Sequence, residues 1–479
     1  MSPRHQRCHL RHYHFLELIF RSASDSPGSL ALIGQGDWAT VGEIVDLSCR
    51  LAAHFQSHGL QAGDVVGVDR VTDKNSLITT LAVAVAGAES AEMPNFSHGL
   101  LQLAPETTAD IAWVVGHTQN AHLRDAQLLP EPADLSALDN AVVPKAWPDV
   151  QTGFRRFLVL NSAGFYTYHR LSFRQFHERL NNLSRTLKPA DRVLIDHDSD
   201  YHSVCAILAA LSSGGAWLLA GKQTLDSTVM KMGATHVVIG PERAWERCKG
   251  IRTQIGASHH LREVFLHADT PMPLLTHRLR SALGHEVTFV FDLPQSGIVS
   301  IAAGKDTARY PSSAGVPIHP SRCLLLDDFG QPLETGMDGW LALRLNRLES
   351  DAWAANGRAA GECLADGSYR PGIRARLDHD GRLWLVGRGD LLTEVGGQWV
   401  NAGLVLQALH IHPWVTRARV IATRGEPNKR KQKLTVAVAG RDDHDVDLQS
   451  HCRRTLGQTI PLQVIKTDRR AIPRGLSIT

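Results

Sequence analysis

Apolar and polar positions in the first part of the chain follow a repeating order of helix and strand. Thr40 and Glu43 form a capping-box pattern in front of a helix whose apolar positions recur from 44 to 52. A short apolar run at 63–68 then predicts a buried strand. Because a second helix is predicted at 77–87, this alternation indicates a parallel sheet with helical crossovers.

The same order returns in the middle of the chain and changes towards the C-terminus. Strands are predicted near 157–160, 190–196, 235–241 and 287–291, with helices at 173–187 and 204–213. Between 314 and 388 short strands alternate with turns, and the turn residues at 327–330 and 378–381 predict hairpins. The last part of the chain has a compact α+β pattern that includes a helix at 401–411.

Composition and charge are those of an ordinary globular protein. The chain has 479 residues, of which 43% are hydrophobic and 21% charged, and its formal net charge is +3. This charge is too small to indicate a nucleic-acid partner, and no apolar run is long enough to predict a membrane span. The seven cysteines form no C-x-x-C pair, so we expect reduced thiols, a cytoplasmic location and no structural metal site.

Three stretches carry a more specific pattern. Residues 157–183 begin FLVLNSAGFYTYHR, residues 312–344 contain VPIHPSRCLLLDDFGQPLETGMDGW, and residues 369–422 begin YRPGIRARLDHDGRLWLVGRGD. In this order they resemble the phosphate loop, the G-x-x-G-x-P segment, and the Y-R-T-G-D and G-R-x-D-D motifs of the adenylate-forming (AMP-binding) superfamily. That superfamily includes acyl- and aryl-CoA ligases, luciferases and peptide-synthetase adenylation domains. The sequence GQWV at 397–400 looks most like aryl-CoA ligases, and the short first third is similar to the compact ligases of aryl polyene clusters.

The resemblance implies an α/β protein with the adenylate-forming-enzyme fold. A large N-terminal domain would span 1–386 with subdomains of about 1–150, 151–285 and 286–386, and a mobile α+β lid would span 387–479 with a hinge near 388–390. Proteins of this kind bind ATP, Mg²⁺ and a carboxylic acid, and pass the acid to the thiol of CoA or of a carrier protein. The implied partners are an aryl or acyl acid and an acyl carrier protein or another biosynthetic enzyme.

The implied phosphate loop departs from the family pattern. Ser162 and Gly164 fit the loop, but its usual lysine is missing, and His169 or Arg170 would have to replace it. An ordinary strand-to-helix turn is the alternative interpretation of this segment.

Residues 291–297 stand in the place of the Y-G-x-T-E motif. Phe291 keeps a ring for adenine and Ser296 fits the residue after the motif, whereas Gln295 replaces the glutamate that the family uses near Mg²⁺. Glutamine lacks the anionic oxygen that a hard cation prefers. Asp292 compensates for this loss only if the turn is rearranged.

Of the other site residues that the resemblance implies, some are present in this chain and others are replaced. Arg388 and Asp390 match the arginine and the hinge aspartate of G-R-x-D, with a surface salt bridge as the alternative. Ile373 occupies the position of the ribose-binding aspartate, and Thr479 stands where the catalytic lysine is expected. Since position 373 would face nucleotide and water, we expect Ile373→Asp to cost the fold little.

His197, Asp198 and His202 lie between a predicted strand and a predicted helix, where they form either a polar cluster or a solvated turn. No G-x-S-x-G, G-x-x-x-x-G-K-[ST] or H-E-x-x-H motif occurs, which disfavours the hydrolases that use them. Two functions remain open. One is an acyl- or aryl-CoA ligase-like protein with impaired catalysis, and the other is a non-catalytic binding or scaffold partner in a biosynthetic assembly. The missing carboxylates weaken the case for ATP and Mg²⁺ as cofactors, so binding of ATP would support the ligase and its absence would support the scaffold.

Overall fold

The computed structural model describes residues 15–34, 37–93, 111–115, 126–130, 132, 134–138, 148, 153–160, 166–184, 186–221, 223–248, 260–345, 362–388, 392–395, 398–420, 434–440, 447–456, 460 and 462–467. The α-helices in these ranges are α1 (Phe15–Asp25), α2 (Val41–Ser57), α3 (Lys74–Val85), α4 (Phe173–Ser184), α5 (Asp200–Ser212), α6 (Leu225–Met232), α7 (Pro241–Cys248), α8 (Pro273–Leu283), α9 (Gly304–Arg309), α10 (Ala402–Ile411) and α11 (Leu448–Leu456). None of these described helices has the length and apolar character that a bilayer crossing requires.

The strands form two large and two small sheets. In chain order they are β1 (Leu30–Ile33), β2 (Trp38–Thr40), β3 (Val65–Val68), β4 (Glu89–Glu92), β5 (Trp113–Val115), β6 (Gln127–Leu129), β7 (Gly153–Leu160), β8 (Tyr166–Ser172), β9 (Arg192–Asp196), β10 (Ala216–Leu219), β11 (His236–Ile239), β12 (Glu263–His267), β13 (Thr288–Leu293), β14 (Gly297–Ala302), β15 (Ser313–Pro317), β16 (Cys323–Leu326), β17 (Asp338–Arg344), β18 (Glu362–Cys363), β19 (Ser368–Arg370), β20 (Ile373–Leu377), β21 (Leu383–Arg388), β22 (Leu392–Val395), β23 (Gln398–Asn401), β24 (Val415–Val420), β25 (Leu434–Gly440) and β26 (Leu462–Lys466).

The larger sheet has 15 strands and a parallel centre. Strands β10, β9, β11, β12 and β13 lie side by side in that order and run in the same direction. Beyond β13 the sheet continues through the antiparallel neighbours β14, β15, β21, β20 and β17. Helices α5 to α8 connect successive strands of the parallel centre, which is the predicted α/β alternation. As a result, the carboxyl ends of β9, β11, β12 and β13 meet at one edge of the sheet.

The second large sheet has six strands in the order β6-β5-β3-β4-β7-β8. Its first five are parallel, and β8 returns antiparallel to β7 with Phe157 opposite His169. The sequence interpretation, in which a turn leads directly into a helix after β7, is wrong because β8 intervenes. The aromatic and β-branched residues Tyr166, Thr167 and Tyr168 favour an extended strand at this point.

Local signals in the sequence form the structures that they predict. At the start of α2 the Glu43 N–H donates to Thr40 Oγ1 at 3.2 Å, and the Thr40 N–H donates to Glu43 Oε2 at 2.8 Å, which completes the capping box. The turn at 378–381 joins β20 to β21 as a hairpin, and Asp378 Oδ1 accepts from the Arg382 N–H at 2.8 Å. Hydrogen bonds between residues that are close in sequence therefore determine where α2 begins and where β20 turns into β21.

The C-terminal elements have a hydrophobic core of their own. Strands β24, β25 and β26 form a three-stranded sheet, and its apolar face packs with α10 and α11 around Leu409, Val436 and Cys452. Helix α10 also contacts the rest of the protein, since Gln407 Nε2 donates to the Pro271 carbonyl at 3.5 Å. The proposed lid boundaries and the hinge near 388–390 stay predictions.

A buried ion pair joins the two large sheets. Arg155 lies in β7, and Asp200 begins α5, which packs on the larger sheet; both side chains are fully buried. Arg155 Nε donates to Asp200 Oδ2 at 2.8 Å, and its Nη2 lies 2.7 Å from the same oxygen. The Val71 N–H donates to Asp200 Oδ1 at 2.9 Å. Arg155 Nη1 donates to the hydroxyls of Thr80 and Ser90 at 3.3 and 3.2 Å. These partners compensate for the desolvation of both charges.

Asp200→Asn keeps the shape of the side chain but leaves the buried Arg155 cation without a countercharge. We expect it to lower the free energy of unfolding by about 3–5 kcal/mol, measured by chemical denaturation. The matched control is Glu178→Gln, which breaks an exposed pair with Arg174 at 3.9 Å and should change stability by less than about 0.5 kcal/mol. Equal effects of the two substitutions would contradict this assignment.

Candidate functional site

Histidines and an aspartate gather where parallel strands of the larger sheet end. His197 follows β9, His267 is the last residue of β12, and Asp292 lies near the end of β13. His202 belongs to the first turn of α5, the helix after β9. Ligands bind at such edges in open α/β sheets, so this edge is the candidate functional site.

Two of the histidines converge on one carboxylate oxygen of Asp292. His202 Nε2 lies 3.6 Å from Asp292 Oδ2, and His267 Nδ1 lies 3.8 Å from the same atom. The ring of His197 stacks on that of His202 with a centroid distance of 4.4 Å. Tyr201 donates its hydroxyl proton to Asp292 Oδ1 at 3.4 Å. A cavity of about 10 Å³ is lined by Arg179, Leu183, Tyr201, His202, Cys205, His267, Asp292 and Ile298.

The tautomer of His197 follows from its neighbours. Its Nδ1 accepts from the Ser199 N–H at 2.9 Å, so the proton of the neutral ring is on Nε2. That nitrogen faces the carbonyl oxygen of His267 at 3.4 Å. His197 is thereby held against His202 and linked to the main chain of His267.

Burial sets the protonation of the imidazoles. It lowers the pKa of His197 to about 3, with a further contribution from His267, and it lowers the pKa of His202 well below its ordinary value. Burial opposes ionisation of Asp292, but contacts with His267, His202 and Arg179 outweigh it and lower the pKa of that carboxyl. At neutral pH the site therefore holds neutral His197 and His202 and an ionised Asp292.

A charged network borders the histidines. Arg247 Nε donates to Asp196 Oδ2 at 2.7 Å, and Arg243 Nε lies 3.1 Å from Asp198 Oδ1. Burial, together with the nearby Glu242 carboxylate, raises the pKa of Asp198 to about 7, although Arg243 opposes the shift. Asp198 is thus part of a partly buried ion-pair network rather than of a fully solvated turn.

The predicted nucleotide-binding residues that the structure describes lie on β13 and in the turn after it. Phe291 and Asp292 are in β13, whereas Gln295 and Ser296 are in the turn that leads to β14. The ring of Phe291 is fully buried in the hydrophobic core. The Gln295 carbonyl accepts from Arg179 Nη2 at 3.1 Å.

Gly297 allows Arg179 to approach the same turn. Its φ of +75° favours glycine, and a Cβ at this position would collide with the Arg179 side chain. The guanidinium therefore fills the space beside the segment that stands in the place of the Y-G-x-T-E motif.

Other predicted site residues are outside the described part of the chain. This holds for Ser162, Gly164, Asp390 and Thr479. The backbone of Arg388 ends β21 and pairs with Ile373 in β20, while its side chain is not among those described. Their roles stay predictions.

The two candidates for the missing phosphate-loop lysine are both engaged elsewhere. His169 is 1% exposed, and burial, with Arg179 adding to the effect, lowers its pKa to about 3, so it is neutral at pH 7. Arg170 Nε donates to both oxygens of Glu89 at 3.0 and 2.9 Å. Neither side chain supplies an uncompensated cation.

The environment of Ile373 corrects one expectation. Its side chain is 2% exposed and belongs to the hydrophobic core with Ala375, because residues two apart on β20 share the buried face. The position therefore does not face water, and Ile373→Asp would place a carboxylate in an apolar environment at a substantial cost in stability.

The described residues do not fit Mg²⁺ and ATP in the way that the resemblance implies. Ile373 offers no oxygen to the ribose, and Gln295 offers no carboxylate to the metal. The nearby carboxylate of Asp292 is already in contact with Tyr201 and two histidines.

His267 and Arg179 are the site residues that the sequence interpretation missed. The apolar run at 264–266 followed by a polar residue is the usual pattern of a buried strand whose end carries a functional group, and it would have identified His267. No local pattern distinguishes Arg179 from the other polar residues of α4.

Comparison with known proteins gives sequence matches to AMP-forming synthetases. No protein-family model matches the chain. It is 28% identical over 167 residues to the 3-hydroxypropionyl-coenzyme A synthetase of Metallosphaera sedula, which covers 33% of this chain and 25% of that protein. A match to a linear gramicidin synthase of Brevibacillus parabrevis, 28% identical over 206 residues, covers 37% of this chain and 2% of that protein. The chain thus spans a quarter or less of the length of these relatives.

Solved structures match over nearly the whole chain. The o-succinylbenzoate CoA synthetase MenE of Bacillus subtilis, in complex with its acyl-adenylate intermediate, has a TM-score of 0.76 at 16% identity and covers 96% of both chains. The anthranilate CoA ligase AuaEII in complex with anthranoyl-AMP has a TM-score of 0.75 at 15% identity and covers 95% of this chain and 93% of its own. These matches confirm the predicted fold and, with the sequence matches, the resemblance to the adenylate-forming superfamily.

The buried neutral histidines predict a loss of stability in acid. Below about pH 6.5 His169 and His197 become protonated in the unfolded chain, whereas in the folded chain they stay neutral down to about pH 3. Each such histidine should lower the free energy of unfolding by about 1.4 kcal/mol per pH unit within this window. Urea denaturation between pH 7 and pH 4.5 measures the slope.

His197→Gln should reduce that slope by the contribution of one proton, because glutamine does not titrate. The control is His260→Gln, at a position that is exposed to water, which should leave the slope unchanged. An identical slope in His197→Gln and the parent would contradict the protonation states assigned to the site.

Proposed function

We propose that this chain, which has the fold of the adenylate-forming superfamily, binds an aryl or acyl carboxylic acid and forms its adenylate very slowly or not at all. Acid binding is supported by the likeness to two proteins whose structures contain acyl adenylates, one of o-succinylbenzoate and one of anthranilate. The ends of β9, β12 and β13 form the edge at which the acid would bind.

The burial of Ile373 is the observation that supports very slow or absent adenylation. Adenylation needs fixed polar groups around Mg²⁺ and the α-phosphate, where charge develops in the transition state, and around the ribose, where they hold the nucleotide in position. Ile373 is 2% exposed among apolar side chains, so no rotation of a neighbouring polar group replaces the missing ribose carboxylate at that position. Loss of a charged hydrogen-bonding partner costs about 1.5–3 kcal/mol, which weakens the binding of the nucleotide more than tenfold.

Gln295 adds a second loss of the same kind. It is 5% exposed, and its backbone carbonyl accepts from Arg179, so the turn is held in place by protein contacts. A neutral amide at this position leaves the charge of Mg²⁺ without an anionic ligand from the turn.

The thiol acceptor of such a protein is either CoA or a carrier protein. Sequence matches include CoA synthetases and peptide synthetases, which supports both types of acceptor. The role that we propose is biosynthetic, with the acid as the small-molecule partner.

A non-catalytic binding or scaffold role is the second candidate function. The same replacements at Ile373 and Gln295 favour it, since they remove ATP chemistry without affecting the protein surface. The two candidate functions differ in whether the protein keeps a site that binds a carboxylic acid. A thermal-shift panel of aryl and acyl acids should reveal a stabilising ligand only if the acid site is retained.

We expect acid-dependent exchange of pyrophosphate into ATP to be absent or far slower than about one turnover per second for every acid that the panel identifies. The o-succinylbenzoate CoA synthetase of Bacillus subtilis, assayed with its own acid, serves as the positive control. A turnover of about one per second or more with any acid would overturn the proposal that adenylation is impaired, while leaving acid binding intact.

A further inference from the structure

The cluster of His202, His267 and Asp292 has the donor set of a metal site. One ring nitrogen of each histidine and one carboxylate oxygen all lie within 4.8 Å of one another. The two distances to Asp292 Oδ2, 3.6 Å for His202 and 3.8 Å for His267, are too long for hydrogen bonds. They are close to the separation of about 3.4 Å between two ligand atoms of a tetrahedral ion bound at 2.0–2.1 Å.

The histidine nitrogens are buried without hydrogen bonds. Within the described part of the chain, neither ring nitrogen of His202 or of His267 has a hydrogen-bond partner. Buried polar atoms are almost always paired in folded proteins, because leaving one unpaired costs about 1–3 kcal/mol. A metal ion between the two rings would satisfy one nitrogen of each.

The space between the ligands fits a single ion. The cavity of about 10 Å³ is bounded by all three side chains, with Tyr201 and Cys205 among its other walls. This volume is about that of one water-sized sphere. It is too small for a substrate molecule.

The chemical types of the three ligands suit a transition metal. Imidazole nitrogens with one carboxylate are typical of zinc and related transition metals, whereas Mg²⁺ and Ca²⁺ prefer oxygen ligands.

Neighbouring side chains hold the ligands in place. His197 stacks on His202, faces the main-chain carbonyl of His267, and is itself fixed by the Ser199 N–H. Tyr201 donates to the second oxygen of Asp292, which leaves Oδ2 directed at the two histidines. Partners of this kind orient metal ligands in known sites.

We propose that His202, His267 and Asp292 bind one divalent transition-metal ion of the zinc type. The site departs from the sequence prediction of no metal and does not rest on the proposed function. The competing account is that Arg179, which also lines the cavity and acts on Asp292, balances the carboxylate alone and the histidines enclose an empty space.

The test uses the full chain with His5, His9, His12 and His14 replaced by Gln, so that the N-terminal histidines do not bind metal. Chelator-treated protein is titrated with Co²⁺, whose visible absorption reports its coordination, and then with Zn²⁺ in competition. We expect one equivalent of Co²⁺ with visible bands, displacement by one equivalent of Zn²⁺, and a higher melting temperature with Zn²⁺.

Two substitutions and one matched control locate the ion. His267→Ala and Asp292→Asn should each weaken Zn²⁺ binding at least about 100-fold, since the loss of even a supporting partner costs 10–100-fold. The control is His236→Ala, which removes a buried histidine 3.7 Å from Asp191 at the opposite end of the parallel strands and should bind like the parent. Circular dichroism confirms that each variant folds.

The outcomes are decisive in either direction. Failure of the parent protein to bind one equivalent of Co²⁺ or Zn²⁺ overturns the proposal without reference to any variant. Equal binding by the parent and a folded His267→Ala variant overturns it as well, because the ion is then elsewhere. Neither result bears on acid binding or on pyrophosphate exchange, which test the proposed function separately.

Discussion

The ion pair between Arg155 and Asp200 is the constraint on which the rest of the structure depends. It crosses between the two large sheets with both charges fully buried, so neither sheet can shift relative to the other without exposing an unpaired charge. Asp200 also begins α5, where a carboxylate interacts favourably with the helix N-terminus. The next two residues, Tyr201 and His202, both contact Asp292. One helical turn therefore joins the sheets and positions the candidate site.

The parallel centre of the larger sheet determines where that site lies. Because β9, β12 and β13 run in the same direction, their ends bring His197, His267 and Asp292 together although nearly a hundred residues separate the first from the last. The fold that this chain shares with solved acyl- and aryl-CoA synthetases supplies this edge. Burial then keeps the His197 and His202 imidazoles neutral, while contacts with His267, His202 and Arg179 keep Asp292 charged against the effect of burial.

Much of the fold follows from the sequence because its signals are local or ordered along the chain. The capping box at Thr40 and Glu43 and the hairpin at 378–381 depend on residues within one turn, and both form as predicted. The resemblance of three stretches predicted the adenylate-forming fold, which the structural matches confirm. Strand β8 was missed although Tyr166, Thr167 and Tyr168 favour an extended strand, because the segment was interpreted as part of a turn before the helix.

The site was less predictable, since it depends on contacts between distant parts of the chain. His202 and Asp292 were identified from separate patterns, but nothing in the sequence shows that His202 and His267 face the same oxygen of Asp292. The burial of Ile373 likewise follows from the register between β20 and β21, which no single-sequence pattern reveals. The sequence shows which chemical groups stand at these positions, but not which of them are buried or which lie close together in the fold.

Isothermal titration calorimetry with Mg²⁺ and ATP, and separately with AMP, tests the central claim most directly. That claim is that the residues around Ile373, Gln295 and Asp292 no longer form a nucleotide site. The account predicts no saturable binding of either nucleotide in the low-micromolar range. Stoichiometric binding of ATP or AMP in that range, about −8 kcal/mol or tighter, would contradict it.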